Sequence, residues 1–466
     1  MDEVKSICKI YGPISLTGLI LYSRAMISVM FIGYLGELEL AAASLSIGFA
    51  NITGYSIITG LSMGMEPICG QAFGAKKWSL LGVTLQRAVL ILPFSCLPIT
   101  ILWLKADRLL LWCGQDPKLI SIASTYLAYS VPDLFVQALL HPLRIYLRAQ
   151  GITSPLATCA FIALILHLPI NFLLVISMNM GIKGAALGSV WTSCNLVIML
   201  IMYICLWGTH ERTFEGFTLG SLRGWVTLLG LAIPSCFSVC LEWWWWYEFM
   251  ILLCGLLPWP KPKVAAMGVL IQTTSLLYVM PSSISLGVST SVSNELGANL
   301  PWKARRVMFV ALSLSAVMGF LSMAIAMGVR SIWGKMFSRD KEVLELTRTV
   351  LPIIGLCELF NCPQTMCCRV LRGCARPSLG ANINLGAFYL VRMPLSVLLG
   401  AFYFGFGFSG LWLGHLVAEV VCFLLMVYFL IQTDWIQETK RVCQLTWVEA
   451  DHFVLHSEAA VEEMLP

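Results

Sequence analysis

Twelve long apolar stretches, separated by short polar connections, constrain this chain of 466 residues more than any other feature of its sequence. An α-helix needs about 20 predominantly apolar residues to cross the hydrocarbon core of a bilayer. We therefore predict an all-α integral membrane protein with twelve transmembrane helices. The stretches lie near residues 10–34, 40–65, 79–104, 119–141, 155–178, 184–207, 224–257, 264–292, 307–329, 343–367, 379–401 and 408–431.

The composition excludes an ordinary soluble enzyme. Hydrophobic residues make up 58% of the chain and charged residues 12%, whereas soluble domains are about 45–50% apolar and about 25% charged. The net charge of +5 is too small to indicate nucleic-acid binding. The six histidines lack metal-ligand spacing and the sequence has no P-loop, so it indicates neither catalysis nor ATP-driven transport.

The 17 cysteines indicate neither a disulfide framework nor a metal site. Their number is odd, and most lie inside apolar stretches rather than in polar outer loops. The densest group lacks a paired CxxC spacing and a nearby histidine, so we expect small buried hydrophobic side chains there and no cofactor. That group consists of Cys357, Cys362, Cys367, Cys368 and Cys374.

Basic residues cluster in alternate connections, which predicts the orientation of the chain in the membrane. Connections rich in Lys and Arg face the cytosol. Together with Lys5 before the first helix and Lys440 after the last, the pattern places both termini in the cytosol. The clusters are Lys76 and Lys77; Arg144 and Arg148; Arg212 and Arg223; Lys303, Arg305 and Arg306; and Arg369, Arg372 and Arg376.

The two halves of the sequence repeat each other weakly, at offsets of 221 to 226 residues. Six helices per half give both halves the same orientation, which is typical of a parallel repeat. We predict two pseudo-symmetric six-helix lobes, 1–207 and 224–432, joined by a cytosolic linker, 208–223. The acidic cytosolic tail, 433–466, we interpret as solvated and mobile. The matching pairs are Pro13 and Pro234, Gly74 and Gly297, Arg148 and Arg372, and Gly184 and Gly410.

Carboxylates at membrane depth are the candidates for a transport role, because an ionisable residue inside a span usually faces an aqueous pathway. Glu242, Glu248 and Glu358 lie deep in the seventh and tenth stretches with no basic residue nearby in sequence. Burial disfavours the charged form of an unpaired carboxylate, so such a group can load and release a proton near neutral pH.

The other intramembrane acids have structural explanations. We expect ion pairs for Glu66 and Glu295, beside the Lys-rich connections, and local hydrogen bonds for Asp133 and Glu419. The aromatic run 243–247 forms either lipid-facing packing or a cavity wall that stacks on planar or cationic substrates, and the sequence does not separate the two.

Several motifs resemble those of plant-type members of the multidrug and toxic compound extrusion (MATE) family. The resemblance spans roughly residues 5–435. It implies two six-helix lobes around a central cavity, alternating between inward-open and outward-open states, and efflux of organic solutes coupled to proton entry. The motifs are Met30–Ala43 (MFIGYLGELELAAA), Glu66–Ala75 (EPICGQAFGA), Leu241–Glu248 (LEWWWWYE), Ser293–Ala298 (SNELGA), Cys357–Thr365 (CELFNCPQT) and Val370–Pro377 (VLRGCARP).

The resemblance also locates three acidic positions. Bacterial relatives have an aspartate in the first helix where this chain has Ser28. The family's seventh-helix glutamate matches Glu242, but Glu248 follows six residues later instead of five, so either of the two is out of register. A tenth-helix carboxylate of other branches falls on Asn361, and we expect Glu358, three residues earlier on the same helix face, to take over its role.

These inferences predict a proton-coupled antiporter for efflux or vacuolar sequestration of small organic compounds such as xenobiotics, secondary metabolites or hormones. The alternative is a polytopic ligand-binding sensor that retains the transporter scaffold. We expect a monomer in the plasma membrane or a vacuolar or endosomal membrane. The expected proton-coupling residues are Glu242, Glu358 and Glu248, and the expected substrate-binding residues, for most of which packing is the alternative, are Asn361, Gln272, Thr273, Tyr278 and Trp243.

Overall fold

A computed structural model describes residues 2–112, 116–209, 211–213, 216, 224–241, 250–251, 253–254, 257–402 and 406–444. Regular structure in these residues is entirely helical, which confirms the all-α class. Ten of the described helical segments are long and apolar enough to cross a membrane. The twelve-helix count stays a prediction.

Two of the twelve predicted stretches are not among those ten segments. The seventh is described as a helix only over Trp225–Val239 and a few residues beyond it. The tenth forms a continuous helix, Lys341–Gly373, but polar residues such as Glu358, Asn361 and Gln364 lower its apolarity.

The described chain divides into two compact units, the first built on Met1–Cys236 and the second on Phe237–Val442. In the first, the π-helical segment Asn51–Tyr55 joins α2 to α3, and a second π-helical segment, Phe172–Ser177, continues α8. The helices are α1 (Asp2–Leu35), α2 (Glu37–Ala50), α3 (Ser56–Ser62), α4 (Met65–Gly74), α5 (Trp78–Leu104), α6 (Ala106–Trp112), α7 (Pro117–Ala149), α8 (Ser154–Asn171), α9 (Gly181–Leu206) and α10 (Trp225–Val239), which ends in the second unit.

The second unit is built in a similar way. Two π-helical segments, Gly386–Arg392 and Leu398–Phe402, alternate with short α-helices in the eleventh predicted stretch of the chain. The helices are α11 (Pro260–Gly297), α12 (Pro301–Val329), α13 (Lys341–Gly373), α14 (Pro377–Leu385), α15 (Met393–Val397), α16 (Gly407–Ile431) and α17 (435–444).

Helices α7 and α13 show why corresponding elements form in both units. Each is 33 residues long and begins after an aspartate N-cap. Asp116 accepts a hydrogen bond from the backbone N–H of Lys118 at 2.8 Å, and Asp340 accepts one from that of Glu342 at 2.9 Å. An aspartate cap stabilises a helix start by about 0.5–2 kcal/mol, so the same local device fixes both starts.

The repeated glycines allow neighbouring helices to approach closely in each unit. A Cβ atom on Gly184 of α9 would lie 2.7 Å from the carbonyl oxygen of Leu174. In the second unit, Gly410 of α16 meets the carbonyl oxygen of Leu399 in the same way. Both contacts face a π-helical segment of the preceding span, so the glycine pattern seen in the sequence reflects a shared packing requirement.

Two expectations from the sequence are wrong. Four basic residues assigned to cytosolic connections lie within helices instead. These are Arg144 and Arg148 in α7, which extends to Ala149, and Arg369 and Arg372 in α13, which extends to Gly373. The tail after Thr433 is not solvated over its first residues, because α17 buries Trp435, Glu438 and Val442. Glu438 forms an ion pair with Arg376, which attaches α17 to the second unit, and a second one with Arg441 within α17.

The burial predicted for the densest cysteine group is confirmed. The described ones are free thiols, and the five of the densest group are buried in the second unit.

Candidate functional site

Glu358 lies near the middle of α13, the helix that packs against α11, α12 and α16. Its side chain is buried, with 2% of the residue exposed. The Nδ2 group of Asn361 donates a hydrogen bond to Glu358 Oε2 at 3.0 Å. Residues three apart share a helix face, so the predicted proximity of this acid and this amide is confirmed.

The electrostatic environment of Glu358 differs from that of the other buried glutamates. Glu66 accepts a hydrogen bond from Arg148 at 2.8 Å, and Glu419 accepts one from Arg392 at 3.0 Å. Among the described residues, no Lys, Arg or His nitrogen lies within 4.0 Å of the Glu358 carboxylate. Burying a carboxylate without a cation favours its neutral, protonated form, so this group is suited to bind a proton.

The ion pair of Arg392 and Glu419 is a feature that sequence reasoning missed. Both side chains are almost fully buried, and the Arg392 guanidinium lies 4.3 Å from the ring centroid of Phe388. Arg392 also contacts His415, four residues before Glu419 on α16. Local hydrogen bonding, expected for Glu419, is therefore replaced by a buried ion pair.

The predicted substrate-binding residues of α11 face different surroundings. Thr273 is buried and accepts a hydrogen bond from Trp333 Nε1 at 2.7 Å, whereas Gln272 is exposed and Tyr278 is partly buried. In the first unit Trp103 donates to Thr53 at 2.9 Å in the same manner. Thr273 thus takes part in a bond that has a counterpart in the first unit, and no described hydrogen bond joins it to Glu358.

Three predicted site residues, Glu242, Trp243 and Glu248, lie outside the described residues. The described part of the site therefore consists of Glu358 and Asn361 in the second unit.

The first unit has a buried histidine network around Ser28. Ser28 Oγ is hydrogen-bonded to His167 Nε2 at 2.9 Å, and His167 Nδ1 to Thr192 Oγ1 at 2.7 Å. Asn171 lies against the same imidazole. Polar side chains of three helices therefore surround Ser28, and the buried Oδ1 atom of Asn171 has no described partner.

A second polar network crosses the middle of the first unit. Tyr55 donates to Asp133 at 2.9 Å, and Gln137 Nε2 lies 3.5 Å from Asp133 Oδ2. Gln137 also donates to Ser193 at 3.3 Å, and Arg24 donates to the same hydroxyl at 3.0 Å. The local hydrogen bonding expected for Asp133 is confirmed, but its connection to a cation was not foreseen.

Arg24 and Arg392 were missed because only carboxylates were considered at membrane depth. Both arginines lie inside apolar stretches of the sequence. The rule that singles out intramembrane acids applies equally to intramembrane cations, and this signal was available in the sequence.

Comparison with known families gives a match in each half of the chain. The family model MatE matches residues 13–173 and 234–398. The two matches begin at Pro13 and Pro234, a pair on which the sequence repeat was recognised.

Individual relatives extend the match over almost the whole chain. Protein DETOXIFICATION 48 of Arabidopsis thaliana is 57% identical over 446 residues, which cover 96% of this chain and 84% of that protein. The crystal structure of the eukaryotic MATE transporter AtDTX14 superposes with a TM-score of 0.91 at 31% identity, covering 96% of this chain and 99% of that one. A mutant of the Vibrio cholerae MATE transporter VcmN shares the fold, with a TM-score of 0.82 at 18% identity over 92% of this chain and 96% of that one.

Proposed function

This chain belongs to the MATE family of membrane transporters, and we propose that it exchanges protons for small organic compounds, with Glu358 as a coupling acid. The observation that carries the proposal is the burial of Glu358 near the middle of a long helix with an amide donor, Asn361, and no described cation within ion-pair distance. Such an intramembrane carboxylate marks a functional site by default.

The coupling follows from the two protonation states of Glu358. The ionised carboxylate accepts the Asn361 hydrogen bond and attracts a polar or cationic substrate. Protonation removes the charge that attracts the substrate and turns the carboxyl into a hydrogen-bond donor. The proton and the substrate therefore compete for the same side chain. A proton entering from the acidic side thereby favours release, and its loss on the other side favours renewed binding.

We propose that the substrates are xenobiotics, secondary metabolites or hormones, moved by efflux or vacuolar sequestration. Glu242 and Glu248 remain proposed coupling acids. The proposed substrate contacts are Asn361, Gln272, Thr273, Tyr278 and Trp243. The proposal includes two six-helix lobes, a monomer with both termini in the cytosol, and a location in the plasma membrane or in a vacuolar or endosomal membrane.

Transport by the purified full chain in proteoliposomes tests the coupling. A pH gradient is imposed with and without a protonophore, and a panel of planar organic cations and weak organic acids is followed. We expect gradient-driven movement of at least one compound, abolished by the protonophore. Glu358→Gln removes the titratable group, so we expect it to reduce gradient-driven transport by at least ten-fold.

Glu345→Gln provides the matched control, since Glu345 is exposed on the same helix and the substitution is chemically identical. Normal transport by correctly inserted Glu358→Gln protein would overturn the role of this acid. Saturable binding of a compound without any movement would favour the sensor over the transporter.

A further inference from the structure

We propose that the first unit contains an anion site of its own, in which Arg24 binds the carboxylate of a small hydroxy- or amino-carboxylic acid. The site lies in the other unit from Glu358 and is independent of the coupling role proposed for that residue. Four observations carry it: the direction of Arg24, its charge balance, the polar face of α7, and an unsatisfied oxygen of Asp133.

Arg24 points into the first unit from the middle of a membrane span. The apolar span of α1 runs from Tyr11 to Leu35. Ile20 and Ser28, four residues before and after Arg24, are both buried, and residues four apart share a helix face. Arg24 therefore faces the helices of its own unit, where it donates to Ser193 on α9 at 3.0 Å.

No described acid contacts Arg24 directly. Within the described part of the chain, no carboxylate lies within 4.0 Å of its guanidinium, and its hydrogen-bond acceptor, Ser193, is neutral. A guanidinium is always charged and carries five N–H donors, so most of its binding capacity is open to a ligand.

The second unit shows what a balanced arrangement looks like. Ser193 is the thirteenth residue of α9, and Glu419 is the thirteenth residue of α16. Glu419 pairs with Arg392 at 3.0 Å. The second unit thus supplies a carboxylate to its arginine at the position where the first supplies only a hydroxyl. The carboxylate of a bound ligand would give Arg24 the counter-charge that Glu419 gives Arg392.

A polar face of α7 connects the region of Arg24 with the end of the helix. Its members follow one another at intervals of three or four residues, which places them on one side of the helix. The side chains of the span 37–74 bond to this face at three levels: Tyr55 to Asp133, Thr59 to His141, and Glu66 to Arg148. The members of the face are Asp133, Gln137, His141, Arg144 and Arg148.

With Arg24 included, this region has one more positive charge than negative charges. The cations are Arg24, Arg144 and Arg148, and the acids are Asp133 and Glu66. Arg148 is paired with Glu66, but among the described residues no carboxylate lies within 4.0 Å of Arg144. Arg144 lies seven residues, or about two helical turns, after Gln137 on the same face. Arg144 is therefore a second cation on this polar face. An anion moving from the end of α7 to Arg24 would pass it.

Asp133 requires a hydrogen-bond donor on the ligand, in addition to the carboxylate that Arg24 requires. Its Oδ2 atom accepts hydrogen bonds from Tyr55 and Gln137, whereas its buried Oδ1 atom has no described partner. Gln137 and Ser193 connect Asp133 to Arg24 by successive hydrogen bonds. A ligand with a carboxylate for Arg24 and a hydroxyl or amino group for Asp133 Oδ1 would satisfy both ends of this network.

Binding of matched carboxylates and amides to the purified full chain tests the proposal. The probes are glycolate with glycolamide and 4-hydroxybenzoate with 4-hydroxybenzamide, titrated at constant ionic strength and followed by the shift in melting temperature. We expect at least one carboxylate to bind at least ten-fold more tightly than its amide, because only the carboxylate brings a negative charge and two equivalent oxygens that pair bidentately with a guanidinium.

The variants assign the effect to Arg24. We expect Arg24→Gln to lower carboxylate affinity to the level of the amide and Arg24→Lys to retain part of it, since lysine keeps the charge but loses the bidentate geometry. Arg330→Gln, at an exposed residue beyond α12, removes a charge without touching the site and should leave binding unchanged. Ser193→Ala, which removes the described acceptor of Arg24, should weaken binding and serves if Arg24→Gln does not fold.

Equal affinity for carboxylate and amide in both pairs overturns the proposal, as does full carboxylate binding by Arg24→Gln. Glu358→Gln separates this result from the proposed function, because it should retain carboxylate binding while losing gradient-driven transport. Transport that survives Glu358→Gln therefore contradicts the coupling role alone, and absent carboxylate discrimination contradicts the Arg24 site alone.

Discussion

At the scale of single residues, the buried charges of this protein differ in how they are compensated. Glu66 and Glu419 each lie within 3.0 Å of an arginine nitrogen, whereas Glu358 accepts a hydrogen bond from an amide. A buried ion pair adds little stability over an apolar pair, but loss of one partner leaves an uncompensated charge. Paired acids therefore maintain the structure, and an unpaired acid remains available for proton exchange.

Glu66→Gln tests the structural role of the first of these pairs. Glu66 and Arg148 are both buried, so the substitution leaves a guanidinium in a low-dielectric environment and should lower the free energy of unfolding by about 3–5 kcal/mol. Thermal unfolding of the purified protein measures this, with Glu345→Gln as the exposed control. The double variant with Arg148→Gln should recover part of the loss; if it is less stable than Glu66→Gln alone, the ion-pair explanation is wrong.

Sequence spacing predicted the proximity of Glu358 and Asn361 because both lie within one helical turn. It did not predict the partner of Arg24, since Ser193 is 169 residues away in the chain. The contact depends on how α1 and α9 pack together. Local periodicity carries information about one helix face, whereas networks between helices depend on tertiary packing that no spacing in a single sequence encodes.

At the scale of helices, glycines decide how closely α9 can approach the end of the preceding span. Gly184 faces the backbone carbonyl of Leu174, and backbone cannot move aside as a flexible side chain can. Gly184→Ala should therefore destabilise the protein by about 1–3 kcal/mol through overpacking. Gly268→Ala in α11, where nothing lies within 4 Å of the added methyl, should be neutral or slightly stabilising, as alanine favours helix.

Thermal unfolding of the two alanine variants measures the difference directly. Equal stability of Gly184→Ala and Gly268→Ala would show that α9 shifts at no cost, and would remove the packing explanation for the repeated glycines.

Helix limits were predicted less well than helix positions. The fourth apolar stretch ends near residue 141, but α7 continues to Ala149 because Arg144 and Arg148 lie on its inward polar face. A search for apolar runs stops at the first charges, even where these charges are satisfied inside the protein. The same limitation hid α17, whose buried face consists of only a few residues beyond the last span.

At the scale of the whole molecule, the two halves share their backbone design but differ in chemistry. Residues with positive φ recur at matching positions, as in Lys76 and Asn299 after corresponding helices. The family model likewise matches each half separately. The polar centres have diverged, however, since Ser193 corresponds to Glu419. The two units therefore share features of their helical scaffold and differ in the side chains of their polar centres.

The orientation of this multi-pass membrane protein is testable through its connections. The basic residues predict that Ala298–Leu300 faces the cytosol and that Ser338–Asp340 faces the opposite side. An Asn-Xaa-Thr glycosylation acceptor in a flexible Gly-Ser spacer, inserted at one position or the other, reports exposure to the lumen of the endoplasmic reticulum. We expect a glycan at 338–340 and none at 298–300, detected by a glycosidase-sensitive change in electrophoretic mobility. The reverse pattern would place the termini outside the cytosol and invert the direction of proton entry assigned to Glu358.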